Sequence, residues 1–122
     1  MIKLSFSVRR LESVPEEEFH RYWRDEHGPL VRSVKDDIGV IRYVQTHTIA
    51  SPLNDAFRVS RGTLEPFDGV AELWWDSIES LIAGSSSEAG RKAGALLLED
   101  EKRFIDLERS SLFIAEETVI IE

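Results

Sequence analysis

The order in which two hydrophobic patterns follow one another constrains the fold of this chain more than any other feature. Residues 2–8 alternate apolar and polar side chains, with the period of two that a half-buried strand requires. Further strand patterns cover residues 39–49, 70–75 and 113–121, and helical spacing covers residues 13–34, 77–83 and 88–106. The resulting order β-α-β-β-α-β predicts one α+β domain over residues 1–122, with a ferredoxin-like antiparallel sheet and helices on one face.

Capping and breaking residues set the expected ends of these elements. Ser13 and Glu16 have the spacing of a capping box at the start of the first helix. Gly28-Pro29 is expected to break or kink that helix, because the residue before a proline avoids helical backbone angles. The three serines at 85–87 are expected to cap the last helix. Residues 50–68 show no sustained periodicity and are predicted to form a loop, whose length is typical of functional or mobile segments.

Both faces of the predicted sheet carry large apolar side chains. Trp74 and Trp75 are adjacent in a strand, so they point to opposite sides of the sheet. The helices cover one side, and the other side needs a different cover. A two-fold symmetric homodimer is the commonest solution for such a surface, and we expect one here.

Charge and composition exclude several classes of partner. The 122 residues carry a formal net charge of -8, which disfavours nucleic acid and anionic membranes as partners because both need a clustered basic surface. There is no cysteine, so disulfides, thiol nucleophiles and cysteine-bound metals are excluded. No apolar run approaches the roughly 20 residues of a membrane span, and no secretory leader precedes the first strand. We therefore expect a cytoplasmic protein.

Four sequence segments together resemble the EthD family of small dimeric α/β-barrel proteins. They occur in order along nearly the whole chain: Phe19-x-x-Tyr22-Trp23-x-x-x-His27-x-Pro29-Leu30, Arg42-Tyr43-Val44-Gln45, Asp68-Gly69-Val70-Ala71-Glu72-Leu73-Trp74 and Asp100-Glu101-x-x-Phe104. The resemblance implies a ferredoxin-like protomer, a dimer whose two sheets face each other as a barrel, and a ligand cleft between helices and sheet. It supports the fold and the dimer that the strand pattern already predicts.

The same resemblance implies a function without fixing a reaction. Related proteins act as dehydratases or cyclases in polyketide tailoring, and isomerases of lactone degradation share a similar fold. The implied activity is cofactor-free proton transfer on an aromatic, lactone or polyketide-like carbonyl compound, as a lyase or isomerase. Two alternatives remain: a non-catalytic binding or accessory protein for an oxygenase system, and a cofactor-free monooxygenase.

His27 and Tyr43 are the predicted catalytic residues. His27 lies at the end of a helix, where the macrodipole favours imidazolium, while burial against Trp23 favours the neutral ring. A histidine balanced in this way suits general acid–base catalysis, although a structural bond to the last helical carbonyls explains it equally. Tyr43 matches the family pattern and is expected to donate to a ligand oxygen, the alternative being a core tyrosine.

Five further residues are predicted to bind substrate. The set is Trp23, Glu26, His47, Glu72 and Trp74. Glu26 falls inside the apolar stripe at regular helical spacing, although a bend towards solvent is the simpler expectation. His47 shares a strand face with Tyr43, and the sequence leaves open whether that face meets the helices or a partner. Glu72 is equally an acid–base candidate or an interface ion pair. No metal-ligand spacing or phosphate loop is present, so neither a metal nor another cofactor is expected.

Overall fold

The computed structural model describes all 122 residues, and its centre is a four-stranded antiparallel sheet. The strands are β1 (Ile2–Val8), β2 (Arg42–His47), β3 (Gly69–Trp75) and β4 (Ser111–Ala115). Their order across the sheet is β2-β3-β1-β4, and every neighbouring pair is antiparallel. This is the ferredoxin-like α+β arrangement that the sequence predicts.

Six helices and a π-helical turn connect the strands. The helices are α1 (Glu16–Tyr22), α2 (Gly28–Ser33), α3 (Lys35–Ile38), α4 (Pro52–Arg61), α5 (Ile78–Ser86) and α6 (Glu88–Glu101). The π-helical turn, Trp23–His27, joins α1 to α2. A short 3-10 turn, Leu107–Arg109, precedes β4. No helix is both long and apolar enough to cross a bilayer.

The strand register decides which side chains meet the helices. Leu4 pairs with Leu73, and Leu73 pairs with Tyr43, so these three side chains share one face of the sheet. Leu4, Leu73 and Tyr43 all pack against the buried core beneath the helices. Tyr43 and His47, an even number of residues apart, therefore both point to the helical side. The sequence left open which face of the sheet carries Tyr43 and His47, and the structure shows that it is the face covered by the helices.

Two hydrophobic clusters fill the space between sheet and helices. One is centred on Val31, Ile38, Trp75 and Leu97, where α2, α3 and α6 pack on β3. The other is centred on Val8, Phe19, Trp23, Phe104 and Ile105. Phe19 and Val8 are fully buried, and such side chains each stabilise the fold by about 1.5–3 kcal/mol. Tyr43 and Leu73 contact both clusters, so the candidate site lies where the two clusters meet.

The prediction of a loop at residues 50–68 was wrong, because Pro52–Arg61 form helix α4. Ser51 caps this helix by accepting a hydrogen bond from Leu53 N–H, Pro52 occupies the first turn, and Gly62 ends it at a left-handed φ of 64°. These are the ordinary start and stop residues of a helix. No residue of α4 is buried, and its apolar residues Leu53 and Phe57 are exposed. The sequence signals that were missed are the start and stop residues themselves.

Three predicted boundaries also differ from the structure. The first helix is preceded by Pro15, and no side chain caps it, so the capping box at Ser13 does not form. Helix α6 ends at Glu101 rather than 106. The last strand ends at Ala115, and beyond it the Glu117 side chain accepts a hydrogen bond from Trp74 Nε1 at 3.2 Å. Ser87 caps α6 by accepting from Gly90 N–H, as expected for the serine run.

Candidate functional site

The π-helical turn positions the candidate site. The Gly28 N–H donates to the carbonyl of Trp23, five residues earlier, which widens the helix locally. The same carbonyl accepts a second hydrogen bond from Gln45 Nε2 at 2.8 Å. Pro29 follows directly, in the first turn of α2. The helix therefore does not break at Gly28-Pro29. Its hydrogen-bonding pattern changes to that of a π-helix at Trp23–His27 and the chain then continues as α2.

The π-helical turn places His27 in the buried stripe and Glu26 outside it, the reverse of what regular helical spacing predicts. At regular helical spacing Glu26 falls inside the apolar stripe and His27 at its edge. A π-helical turn rotates less per residue, so the stripe follows a spacing of four: Phe19, Trp23, His27 and Val31 are all buried. Glu26 is exposed. The structure does not bring Glu26 towards the other predicted site residues.

Asp100 joins two side chains of the first helical segment. Its Oδ2 lies 2.7 Å from His27 Nδ1, and its Oδ1 accepts the hydroxyl proton of Tyr22 at 2.5 Å. The His27 side chain is 6% exposed and the Asp100 side chain 13% exposed. A carboxylate accepts from Nδ1–H, so this contact places the proton of a neutral His27 on Nδ1 and leaves Nε2 as the basic nitrogen.

Nε2 of His27 remains available to a ligand. The only hydrogen bond of the ring is the one from Nδ1, and no fully buried side-chain nitrogen or oxygen in the protein lacks a partner. Nε2 is therefore accessible. Burial lowers the pKa of His27 below its usual value of 6.5, and the hydrogen bond and charge of Asp100 oppose that effect. The ring is thus favoured as a neutral base.

Nε2 is accessible within a cavity of about 400 Å³ between the helices and the sheet. Its walls are predominantly apolar, and they include Trp23, Leu73, Trp75 and Leu97. His27, Tyr43 and Glu101 are the acid–base groups among the lining residues. A mostly apolar pocket with a few convergent polar groups is the usual form of a small-molecule site.

Glu101 adds a second ionisable group with a displaced pKa. Burial, reinforced by the negative charge of Asp100, raises the pKa of this carboxyl from 4.5 to about 7. Much of Glu101 is therefore protonated near neutral pH and can donate a hydrogen bond or a proton. Neighbouring groups with their pKa values shifted in opposite directions are typical of acid–base sites.

Tyr43 ends a chain of hydrogen bonds that begins outside the cavity. His20 and His47 share a contact of 2.7 Å between their Nδ1 atoms, and His47 Nε2 lies 2.8 Å from Gln45 Oε1. The amide of Gln45 donates to the Tyr43 hydroxyl at 2.8 Å. The hydroxyl thus accepts from the protein and keeps its own proton for a ligand. Burial raises the pKa of Tyr43, so the group stays protonated.

The structure divides the predicted site residues between two sides of the sheet. Trp23, His27 and Tyr43 line the cavity together, and the His47 ring packs 4.4 Å from that of Trp23 behind the wall. Glu72 and Trp74 lie on the opposite sheet face. Glu72 forms an ion pair with Lys3, and Trp74 lies under Arg42, with 4.4 Å from the guanidinium carbon to the ring centroid.

Four residues of the site had no role assigned from the sequence. They are Tyr22, Gln45, Asp100 and Glu101. Asp100 and Glu101 belong to one of the four segments that resemble the EthD family, yet Asp100 lies 73 residues from His27 in the sequence, which hides their contact. The only sequence signal was the occurrence of two acidic residues before the buried Phe104, which does not specify what they contact.

The comparisons with known proteins agree with this architecture. The model of the EthD domain matches residues 11–108. The chain belongs to the EthD family. No curated protein sequence matches it. An EthD family protein of Bacillus halodurans is similar in structure, with 23% identity and a TM-score of 0.65 over 97% of this chain and 99% of that one.

Two other solved structures share the fold of this EthD domain. An EthD-like protein of Ralstonia eutropha is 22% identical, with a TM-score of 0.65 over 98% of this chain and 94% of that chain. HapK of Hahella chejuensis is 11% identical, with a TM-score of 0.61 over 97% and 93% of the two chains. At these identities the similarity establishes the fold, and activity must be argued from the cavity itself.

Proposed function

We propose that this EthD protein is a cofactor-free enzyme that transfers protons on a small aromatic, lactone or polyketide-like carbonyl compound, as a lyase or isomerase. The observation that carries the proposal is the Asp100–His27 pair, whose free Nε2 faces an apolar cavity. A carboxylate that fixes the tautomer of a histidine and stabilises its imidazolium is a recurring device of general base catalysis.

The residues divide into a base, its positioning partner and two hydrogen-bond donors. His27 Nε2 removes a proton from the carbon beside the carbonyl, and the electron pair of that C–H bond moves onto the carbonyl oxygen. Tyr43 and protonated Glu101 donate to this oxygen as negative charge develops. The His27 imidazolium then returns the proton, either to another carbon in an isomerisation or to a departing hydroxyl group in a dehydration.

The cavity limits the size and polarity of the substrate. A volume of about 400 Å³ lies within the roughly 300–1,000 Å³ range of small-molecule pockets. Trp23 and Trp75 line it, which favours an aromatic or other flat apolar body. His47, Trp23 and Gln45 support the wall that holds Tyr43, so we assign His47 a positioning role rather than direct contact with substrate.

A homodimer is the proposed assembly. The sheet face that carries Val44, Glu72, Trp74 and Phe113 has no helix over it, and Phe113 is 50% exposed. A second copy in two-fold symmetry would cover this face. Light scattering after size-exclusion chromatography should give the mass of two chains for the wild type. A Phe113→Asp variant should shift the mass towards one chain, whereas a single-chain mass for the wild type contradicts the dimer.

Hydrogen exchange in D₂O tests the proposed chemistry without knowledge of the natural substrate. Acetophenone reports removal of the proton beside a carbonyl, and α-angelica lactone reports double-bond isomerisation, both by proton NMR. The wild type should accelerate at least one of these reactions. His27→Ala should reduce the rate by about 10²-fold or more, the range expected for loss of a general acid–base group.

A control variant changes a charge on α6 outside the cavity. Glu99→Gln alters an exposed carboxylate that contacts only Lys102 and should keep the full rate. If both probes perturb the NMR signals of cavity residues but the wild-type protein does not accelerate the exchange of either probe, the protein is a binding module. Enzyme-dependent oxygen uptake with a polycyclic phenol would instead identify a monooxygenase.

A further inference from the structure

A second cleft lies along the free edge of β2. It has a volume of about 660 Å³ and combines residues of the π-helical turn, α2, α3 and β2. Four cationic residues line it: Arg24, Arg32, Lys35 and Arg42. We call this cleft the basic groove. No acidic residue lines it, although acidic residues outnumber basic ones by 23 to 15 in the chain.

Two of these cations have no partner in the protein. Arg24 pairs with Asp25 at 3.1 Å, and Arg42 stacks on Trp74. Arg32 and Lys35 are exposed and take part in none of the salt bridges or side-chain hydrogen bonds of the structure. Several like charges around one concave surface raise the local potential and attract an ion of opposite charge. The basic groove is therefore suited to an anion.

The basic groove adjoins the proposed catalytic cavity. Val31 and Tyr43 line both volumes, so these two side chains form the boundary between the groove and the cavity. The cavity wall is predominantly apolar, so it is less suited to an anion than the basic groove. Arg91 is the only arginine or lysine in that wall, and it already donates to the carbonyl of Ser86 at 2.6 Å.

We infer that the basic groove binds a carboxylate or phosphate group of the substrate while the carbonyl end of the same molecule occupies the cavity. The substrate class is thereby an anionic carbonyl compound rather than a neutral one. This inference rests on the proposed function, because it assigns the cavity to the reacting end. Arg32 and Lys35 hold the anion, and Tyr43 stands at the junction of the two volumes.

Three related probes test this assignment by affinity. Isothermal titration calorimetry compares 4-oxo-4-phenylbutanoate with its neutral methyl ester and with phenacyl phosphate. At least one anion should bind the wild type about tenfold more tightly than the ester, since a charge-assisted hydrogen bond contributes enough for one decade of affinity. The tighter anion identifies the head group. Added salt should weaken the binding of the anions and not that of the ester.

Paired variants locate the anion site. Arg32→Gln/Lys35→Gln should abolish the preference for the anion and leave the affinity for the ester unchanged. Arg61→Gln/Lys92→Gln makes the same change of net charge at exposed positions on α4 and α6 and should keep the preference. The inference is overturned if the ester binds as well as both anions, if none of the three probes binds, or if only Arg91→Gln removes the preference.

The outcome is distinguishable from a failure of the proposed chemistry. Affinity is measured without turnover, whereas the chemistry is measured separately by proton exchange on acetophenone and α-angelica lactone. An anion preference that depends on Arg32 and Lys35, with no exchange in any variant, supports the basic groove and contradicts the enzyme. Exchange that depends on His27, with equal affinity for ester and anions, supports the enzyme and contradicts the basic groove.

Discussion

Two histidines of one helical segment, seven residues apart, have very different surroundings. His27 is buried and bonded through Nδ1 to a carboxylate, and its Nε2 opens on the cavity. His20 is half-buried and bonded through Nδ1 to another imidazole, that of His47. The Asp100 carboxylate can accept a hydrogen bond from His27 whether the His27 ring is neutral or charged. An imidazole can accept a hydrogen bond only while it is neutral.

The partner therefore decides what each histidine can do. Protonation of His27 strengthens its bond to Asp100, so this ring can gain and lose a proton without losing its position. Protonation of His47 removes the lone pair that His20 needs and places two cations side by side. Burial, and to a smaller extent the nearby charges of His20 and Arg24, lower the pKa of His47. The first pair suits catalysis and the second suits a fixed wall.

Among changes to the partners of the two histidines, the largest expected effect comes from removing the charge of Asp100. Asp100→Asn should lower the exchange rate about 10–100-fold, the usual range for loss of a supporting hydrogen-bond partner. It should also lower the pKa of His27 further, because Asp100 raises that pKa. NMR titration of the His27 ring measures the second effect, with Glu99→Gln as control. An unchanged pKa in Asp100→Asn would contradict the role of the pair.

A smaller effect is expected from removing the second hydrogen-bond donor to Asp100, the hydroxyl of Tyr22. Tyr22→Phe keeps the ring on Phe104 and removes only the hydroxyl that bonds Asp100. The free energy of unfolding should fall by about 1 kcal/mol, the typical net value of one hydrogen bond, as measured by urea titration. The exchange rate should fall less than in Asp100→Asn. A larger loss than in Asp100→Asn would make Tyr22 a catalytic residue itself.

The pH dependence of stability distinguishes the buried groups. The lowered pKa of His27 means that the unfolded chain binds a proton near pH 6.5 and the folded chain does not, so stability falls as pH drops below that value. Glu101 acts in the opposite sense: its folded pKa of about 7 favours the folded state at low pH, and this contribution is lost as pH rises from about 4.5 to 7.

A pair of variants isolates the contribution of His27. In Glu101→Gln the opposing effect is absent, and the free energy of unfolding should decrease from pH 7 to 5. In His27→Gln/Glu101→Gln the decrease should be smaller, with His47 common to both. Equal slopes in the two proteins would show that His27 titrates alike in the folded and unfolded states. Urea titrations at a series of pH values provide the measurement.

The smallest effect is expected when the second pair is converted towards the first. His20→Glu gives His47 an acidic neighbour in place of a like-charged one, so the pKa of His47 should rise above its value in His20→Gln, the neutral control. The exchange rate should stay within about twofold of the wild type, because His20 lies outside the cavity. A loss comparable to that of His27→Ala would show that the two histidines are not functionally distinct.

Local patterns in the sequence were sufficient for the fold and for part of the site. The strand alternation of residues 2–8 and 70–75 predicts the sheet, and the EthD segments point to His27 and Tyr43. Asp100 was not predictable, because its contact with His27 depends on how α6 packs across the sheet. The exposed position of Glu26 was not predictable either, since regular helical spacing assigns it to the buried stripe and only the π-helical turn moves it out.

The same limit applies to the two sides of the sheet. Glu72 and Trp74 share a strand with residues of the cavity wall, and alternation shows that they lie opposite Leu73. Alternation alone does not show which face the helices cover. That choice is made by the packing of Phe19 and Trp23 against β1 and β3, a contact between distant parts of the chain.

The π-helical turn makes the Asp100–His27 pair depend on the length of the chain as well as on its composition. Removing one residue between Trp23 and His27 would allow a regular helix to form from α1 into α2. Each helical residue accounts for about 100° of rotation, so either His27 would turn away from Asp100 or Val31 would leave the core. A deletion at the exposed Arg24 would thus disrupt either the Asp100–His27 contact or the core, although the Arg24 side chain itself pairs only with Asp25.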